Sequence, residues 1–369
     1  MTYDEALNFI LSKQRLGIKP GLLRIENALK LIDNPQNKIK VIHIAGTNGK
    51  GTVANLIAKN LQNNGHKVGL FTSPWVIDYR EQIQINGNFI SKEKFAFYVD
   101  EFKNCDLTEF ELITVIMYKY FYDEKVDFAV VECGMGGKGD ATNVVGKPEL
   151  CVITSVSLDH TDFLGASLES ISNEKAGIIK GNSTVVIYPN NKVVKAVFEN
   201  VCKSTNSKLV EVPKGKDFKE NNLNTAFKAL ELLGEKHEIN NVFLPARQEY
   251  VNENMMIDGA HNPEGAIALK NNLPNKKITA VIAMMRDKDV EKYLGILAPS
   301  FDKIIATTVP NNSRAMTAED LAKIAEKYCE NIVLCENPHR AVEIAKNDDN
   351  FTLICASFYL IRYLFIILK

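Results

Sequence analysis

The sequence contains no Cys-x-x-Cys pair, and its seven cysteines (105, 133, 151, 202, 329, 335 and 355) are scattered and odd in number. This excludes a disulfide framework and a zinc ribbon and fits a reducing compartment. Nor is there an excess of either charge. With 44 Lys and Arg against 45 Asp and Glu, no global field draws the chain to nucleic acid or to an anionic membrane, so any polyanion it binds must be small and held locally. No run is apolar enough to span a bilayer: the most apolar stretch, 351 to 368, is interrupted by Arg362 and Tyr363 and reads as a buried strand followed by a helix. The opening MTYDEALNFILSKQRLG lacks the basic start and apolar core of an export signal and reads as an amphipathic helix. The expectation is a cytoplasmic protein. No period of the solenoid or propeller kind appears.

What is present is 369 residues, 46% hydrophobic and 24% charged, enough for two domains. Short β-branched runs alternate with helical patterns: 41–46, a helix from Thr52 to Asn64, then 67–73, 127–134 and 149–157. This is the rhythm of a parallel sheet covered on both faces, whose strands are continuously apolar. After about residue 185 the signal weakens into a polar, loop-like stretch, 207 to 222, and one helix, 222 to 235. A second series of strands follows at 254–260, 277–285, 303–309, 331–336 and 351–357, separated by helices. A hinge is expected near Leu244 to Val251, where Pro245 breaks the pattern.

The sharpest local signal is Ala45-Gly46-Thr47-Asn48-Gly49-Lys50-Gly51-Thr52, which follows a strand and opens a helix. Backbone N–H groups of such a turn, the helix N-terminus and one lysine form a cradle for phosphate. Hard ligands stand at other strand ends: Ser73, Glu132, and Asp159 with His160. In an open α/β sheet those ends share the ligand-binding edge. Singly, each has a bland alternative as a turn residue, an ion pair or a loop histidine. A lysine in EKAGIIK, Lys175, would ordinarily be solvated, and Asp258-Gly259-Ala260-His261-Asn262-Pro263 would serve equally as a capped turn or a site.

The segments IKPGLLRIENAL, IHIAGTNGKGT, FTSP, LTEFE, VVECGMGGKGDATNV, ITSVSLDHTDFLG, EKAGIIK, DGAHNP and AMMRDKD occur in the order seen in the folylpolyglutamate and dihydrofolate synthases. The chain thereby resembles that branch of the Mur ligase superfamily from about residue 15 to residue 360. The resemblance implies an α/β fold: a P-loop parallel-sheet ATPase domain with the pterin site, 1–247, followed by a smaller Rossmann-like ligase domain, 248–369, with ATP at their interface. It implies an ATP- and Mg²⁺-dependent ligase that joins L-glutamate to dihydropteroate or a reduced folate through an acyl phosphate. A monomer is expected. Two alternatives stay open: another amino-acid ligase of the superfamily, and a P-loop ATP switch that ligates nothing.

By the same resemblance, Asn48, Gly49, Lys50, Gly51 and Thr52 bind the nucleotide phosphates, and Asn224, Arg247 and Asp258 contact the nucleotide. Ser73, Glu132, His160 and a carbamylated Lys175 hold two Mg²⁺ ions. Lys50, Lys175, His160 and His261 form the catalytic set. Ile18, Lys19 and Pro20, Thr108, Glu109, Phe110 and Glu111, and Gly139, Asp140 and Ala141 surround the pterin. Phe110 would pack on its ring, while Glu111 and Asp140 would accept its N–H groups. The sequence departs from the family at Trp75 and Gln82, where His and Arg are usual, at Lys138-Gly139 for Arg-Leu, and at Ala246 within Pro245-Ala246-Arg247 for Pro-Gly-Arg. The stretch from Val212 to Asn224 is also shorter than the family's.

Overall fold

The computed structural model describes residues 1–17 and 19–368, so Ile18, expected at the pterin, lies outside the described residues. The chain divides into two units, Met1–Val242 and Phe243–Lys369. In the first, β1 (Lys40–Ala45), β2 (Val68–Phe71), β3 (Ile83–Ile85), β4 (Asn88–Phe89), β5 (Phe128–Glu132), β6 (Leu150–Ile153), β7 (Thr184–Ile187) and β8 (Lys208–Glu211) form one sheet. Its order is β4-β3-β2-β5-β1-β6-β7-β8. Along that order every pairing from β2 to β8 is parallel, and β3 pairs antiparallel with both β2 and β4.

β1 is the centre. Five of its six residues are buried, because the helices Lys50–Asn63 and Phe218–Leu232 cover one face and Glu109–Asp123 with the N-terminal helices covers the other. With β5 and β6 on either side of it, the loops leaving all three strands open onto one edge. That is where ligands bind in such sheets.

Between β6 and the helix Phe218–Leu232 the sequence reading missed structure. The stretch expected to be loop, 207 to 222, holds β8 and the first turn of that helix, and the helix Lys192–Ser204 precedes it. β8 is the edge strand and none of its residues is buried, so it lacks the apolar run by which buried parallel strands announce themselves. The run read as one strand over 149–157 ends at Ile153. Beyond it, Thr154 to Ser157 form the loop whose groups bond to the glycine-rich turn.

The second unit has the order β13-β12-β11-β14-β10-β9, built from β9 (Glu249–Asn252), β10 (Met255–Asp258), β11 (Ile278–Ile282), β12 (Lys303–Ala306), β13 (Ile332–Leu334) and β14 (Phe351–Cys355). It is parallel except for β9, which pairs antiparallel with β10. β9 overlaps the end of the stretch expected to be a hinge, Leu244 to Val251. Among the described residues no helix is long and apolar enough to cross a membrane, and the final apolar stretch forms β14 and the helix Phe358–Leu368.

Candidate active site

The turn after β1 is shaped by two glycines at which an added side chain would collide with its neighbours. Gly46 has φ +152°, and a Cβ there would meet Thr154 Oγ1 at 1.8 Å; Gly49 has φ +84°, and a Cβ would meet Asn222 Oδ1 at 2.4 Å. Gly49 is also the N-cap of the helix Lys50–Asn63 and brings no capping side chain. The first-turn amides therefore lack the side-chain acceptor that a Ser or Asp would provide, an arrangement suited to an anion. Thr47 fixes the turn from beneath: its hydroxyl donates to Ser157 O and accepts from Ser157 N–H, both at 3.1 Å.

Glu132, the last residue of β5, faces this turn and is buried at 3% exposure. Its carboxylate accepts from the Ser73 amide at 3.3 Å and lies 3.9 Å from Lys50 Nζ. Lys50 also donates to Thr47 O at 3.2 Å. Gly51 passes so close that an added Cβ would sit 3.4 Å from Glu132. The Ser73–Pro74 peptide is cis. Lys175, in the last turn of the helix Leu168–Ala176, is 2% exposed and donates to Gly46 O at 2.9 Å. Far from being solvated, it is pulled down to about 7, first by burial and then by the charge of Lys50. His160 caps the short helix Thr161–Leu164 with φ +50°, three residues beyond the Ser157 bond to Thr47.

Thus Lys50, Gly51, Ser73, Glu132 and Lys175 converge on one edge. Asn222, two residues before the Asn224 expected at the nucleotide, lies against Gly49. Asn222 is buried and its Oδ1 has no hydrogen-bond partner.

On the other face of β5, Thr108 and Glu111 form a capping box, with Thr108 N–H donating to Glu111 Oε2 at 2.8 Å. Glu111 also takes Arg24 at 2.9 and 3.3 Å. Arg24 in turn donates to Lys19 O at 2.7 Å and to Pro20 O at 3.4 Å. The Glu111 carboxylate expected to meet a pterin is therefore engaged by the protein, and Arg24, missed in the sequence reading, is what joins the 19–20 and 108–111 segments. Glu109 accepts from Tyr79 OH. Phe110 is half-buried, and its ring covers Gly134, where a Cβ would lie 2.5 Å from Cζ. Gly139 is exposed with open space beside it, while Asp140 and Ala141 are buried. Both Asp140 oxygens serve the loop itself: one accepts from Met135 N–H at 2.8 Å, the other from Thr142 N–H at 2.9 Å and Thr142 Oγ1 at 2.5 Å.

In the second unit Asp258 ends β10 and is buried. Its oxygens accept from Gln248 N–H at 2.8 Å and Ala260 N–H at 2.7 Å, and burial raises its pKa against these bonds and the charge of Arg247. His261 Nδ1 lies 2.9 Å from Gly259 O, so that nitrogen carries the hydrogen. The Arg247 guanidinium stacks on Phe358 at 4.3 Å. Asn262 caps the helix Pro263–Lys270 through Gly265 N–H at 2.9 Å, with Pro263 at its first position. Ala246 adopts φ +56°, the left-handed conformation that suits the glycine usual in the resembled family.

Comparison with known proteins bears directly on this geometry. Residues 44–268 match the Mur ligase middle domain and residues 246–358 the Mur ligase glutamate ligase domain. The chain belongs to the Mur ligase family. Within it, the dihydrofolate synthase/folylpolyglutamate synthase of Bacillus subtilis is 31% identical over 97% of this chain and 97% of that protein, which puts the chain among these ligases. Of solved structures, Escherichia coli FolC in complex with DHPP and ADP has a TM-score of 0.87 at 26% identity, covering 100% of this chain and 97% of that one. The bifunctional Yersinia pestis enzyme complexed with AMPPNP and an Mn ion has a TM-score of 0.87 at 26% identity, covering 100% and 98%. The two-unit α/β architecture is that of these ligases.

Proposed function

We propose that this Mur-family ligase joins L-glutamate to dihydropteroate, giving dihydrofolate, and adds further glutamate to tetrahydrofolates. The observation that carries this reading is the convergence of Lys50, Ser73, Glu132 and the buried Lys175 beside a turn whose helix begins at an uncapped glycine. The named relatives' activities, and their complexes with nucleotide and an Mn ion, support it. An ATP switch has no use for a second, ligase-type domain.

In the reaction so proposed, a carboxylate oxygen of the acceptor attacks the γ-phosphorus of ATP and the bond to the bridging oxygen of ADP breaks. The acyl phosphate formed is a far better electrophile than the carboxylate. The neutral amine of glutamate then attacks the acyl carbon, phosphate leaves and the amine's proton is lost. Asn48, Gly49, Lys50, Gly51 and Thr52 hold the phosphates, and the Lys50 charge stabilises the transferring phosphoryl group. Asp258 and His261 are assigned from the second domain, 248–369, and Arg247 from the end of the first, 1–247. Asn224 is a further assigned nucleotide contact, and Asn222 lies against the phosphate loop at Gly49.

The donor set fits a magnesium ion. A buried carboxylate beside a hydroxyl residue supplies the hard oxygen ligands such an ion takes, its remaining positions going to water and substrate phosphates; among the described residues no three His, Cys, Asp or Glu gather into a metal-holding group. Glu132 and the Ser73 hydroxyl would hold one ion, and His160 with Lys175 a second; bound there, the ions would neutralise phosphate charge. An ammonium at Lys175 would repel a cation, and capture of CO₂ by its amine would convert it to an anion. Half-buried Phe110 and exposed Gly139 form the open part of the pterin side. Seven free cysteines are consistent with a reducing compartment such as the cytoplasm. The test is ADP release with Mg-ATP and glutamate, comparing dihydropteroate with tetrahydrofolate. Glutamate-dependent turnover with either supports a folate ligase, whereas turnover indifferent to glutamate and acceptor would overturn it.

A further inference from the structure

His43 has no part in the reaction just described, yet it is one of the most constrained side chains in the molecule. It lies in the middle of β1, wholly buried, three residues before Gly46 of the phosphate turn. Its Nε2 is 2.8 Å from Thr142 Oγ1 and 3.2 Å from Cys133 Sγ. A threonine hydroxyl has one hydrogen, and here it goes to the Asp140 carboxylate at 2.5 Å. Toward His43 the hydroxyl can therefore only accept, so Nε2 carries the imidazole hydrogen. That leaves Nδ1 as a bare acceptor, buried with no partner. A leucine or valine would fill the same strand position without that penalty.

The bond has a distant consequence. Thr142 and Asp140 organise the loop from Gly134 to Asn143: Asp140 gathers the Met135 and Thr142 amides, and the fully buried Tyr118 donates to Thr142 O at 2.8 Å. The loop's other side is fastened to the helix that carries Lys175. Lys138 N–H donates to Glu174 O at 2.7 Å, and Asn143 Nδ2 donates to Lys138 O and Gly177 O, each at 3.1 Å. Gly137 packs so tightly there that a Cβ would lie 2.7 Å from Glu174 O. One loop thus spans from the strand of the phosphate turn to the helix of Lys175, with Phe110 covering its first glycine. His43 supplies its only side-chain hydrogen bond from β1 among the described residues.

We propose that His43 is a positioning residue: through Thr142 and Asp140 it holds the 134–143 loop in register with the phosphate turn, so that the acceptor's carboxylate meets the γ-phosphate. This rests on the assignment of that loop to the acceptor made above.

The test measures KM and kcat for dihydropteroate and for Mg-ATP in three chains. In His43→Leu, which keeps volume and loses the donor, the dihydropteroate KM should rise about tenfold, a fraction of what an ångström of misplacement can cost, with the KM for ATP within about twofold. His43→Gln, whose amide N–H can reach Thr142, should recover most of the loss. An unchanged dihydropteroate KM, or KM values for ATP and acceptor that rise together, would overturn the proposal. If His43→Leu fails to fold, Thr142→Val and Thr142→Ser carry the test: only the serine should keep a near-native acceptor KM, and equal values for the two would overturn it. If the wild-type chain turns over neither pterin, the folate reading falls. Hydrogen exchange then still decides the brace, because the Met135 and Thr142 amides should lose protection in His43→Leu, and unchanged protection would contradict it.

Discussion

Two strand-to-helix turns, one in each unit, begin from similar chemistry and end differently. The turn after β1 runs from Gly46 to Thr52, that after β10 from Asp258 to Asn262. In the second, polar groups are turned inward: Asp258 accepts two backbone amides and Asn262 caps its own helix. In the first, the helix begins at a glycine that offers no capping side chain. Saturation makes the second turn rigid, and the missing acceptors make the first receptive to an anion.

The comparison can be broken at several points. The largest effect is expected at Lys175, at the edge served by the first turn: Lys175→Ala should lower kcat about a thousandfold, in the range seen when a group stabilising developing charge is removed, with the fold intact by circular dichroism. Full activity at saturating Mg²⁺ and bicarbonate would remove Lys175 from the chemistry. Because burial pulls Lys175 to about 7, its free amine predominates above that pH and its ammonium below. Uptake of isotope-labelled bicarbonate as a carbamate, followed by NMR, should therefore rise through about pH 7; uptake independent of pH would count against it.

Gly49→Ala should raise the KM for ATP about tenfold, since it combines left-handed strain of about 1–2 kcal/mol with the clash at Asn222. Asn222→Ala in the same chain should return part of the loss, and failure to do so would mean that Asn222 is not the obstacle. In the second turn the expected loss is stability: Asp258→Ala leaves two buried amides unmatched and should cost about 2 kcal/mol by denaturant unfolding. The smallest effect is at Ala246, left-handed at φ +56°. Ala246→Gly should stabilise by about 0.5 kcal/mol, strain relief slightly exceeding the added unfolded-state entropy, and a loss of stability would show that the strain is illusory.

Much of this was legible in the sequence. Buried parallel strands such as β1, β5 and β14 declare themselves as apolar runs, and Gly49-Lys50-Gly51 after a strand declares a phosphate turn. The edge strand β8 was not legible, because a strand with no buried residue carries no apolar signal. Nor were Arg24 and His43. Their importance comes from bonds to residues distant in sequence, Glu111 and Thr142, and nothing in the spacing of a chain marks such pairs. The closeness of Asn222 to Gly49 and the engagement of Glu111 and Asp140 by their own loops became visible only in three dimensions.

The central claim is that the first turn holds ATP for transfer of its γ-phosphoryl group to a carboxylate. It is tested most directly by labelling the carboxylate oxygens of dihydropteroate with a heavy isotope and analysing the phosphate released in the presence of Mg-ATP and glutamate. Formation of an acyl phosphate predicts one labelled oxygen in each phosphate produced. Unlabelled phosphate alongside ADP would mean that water, and not the acceptor, takes the phosphoryl group.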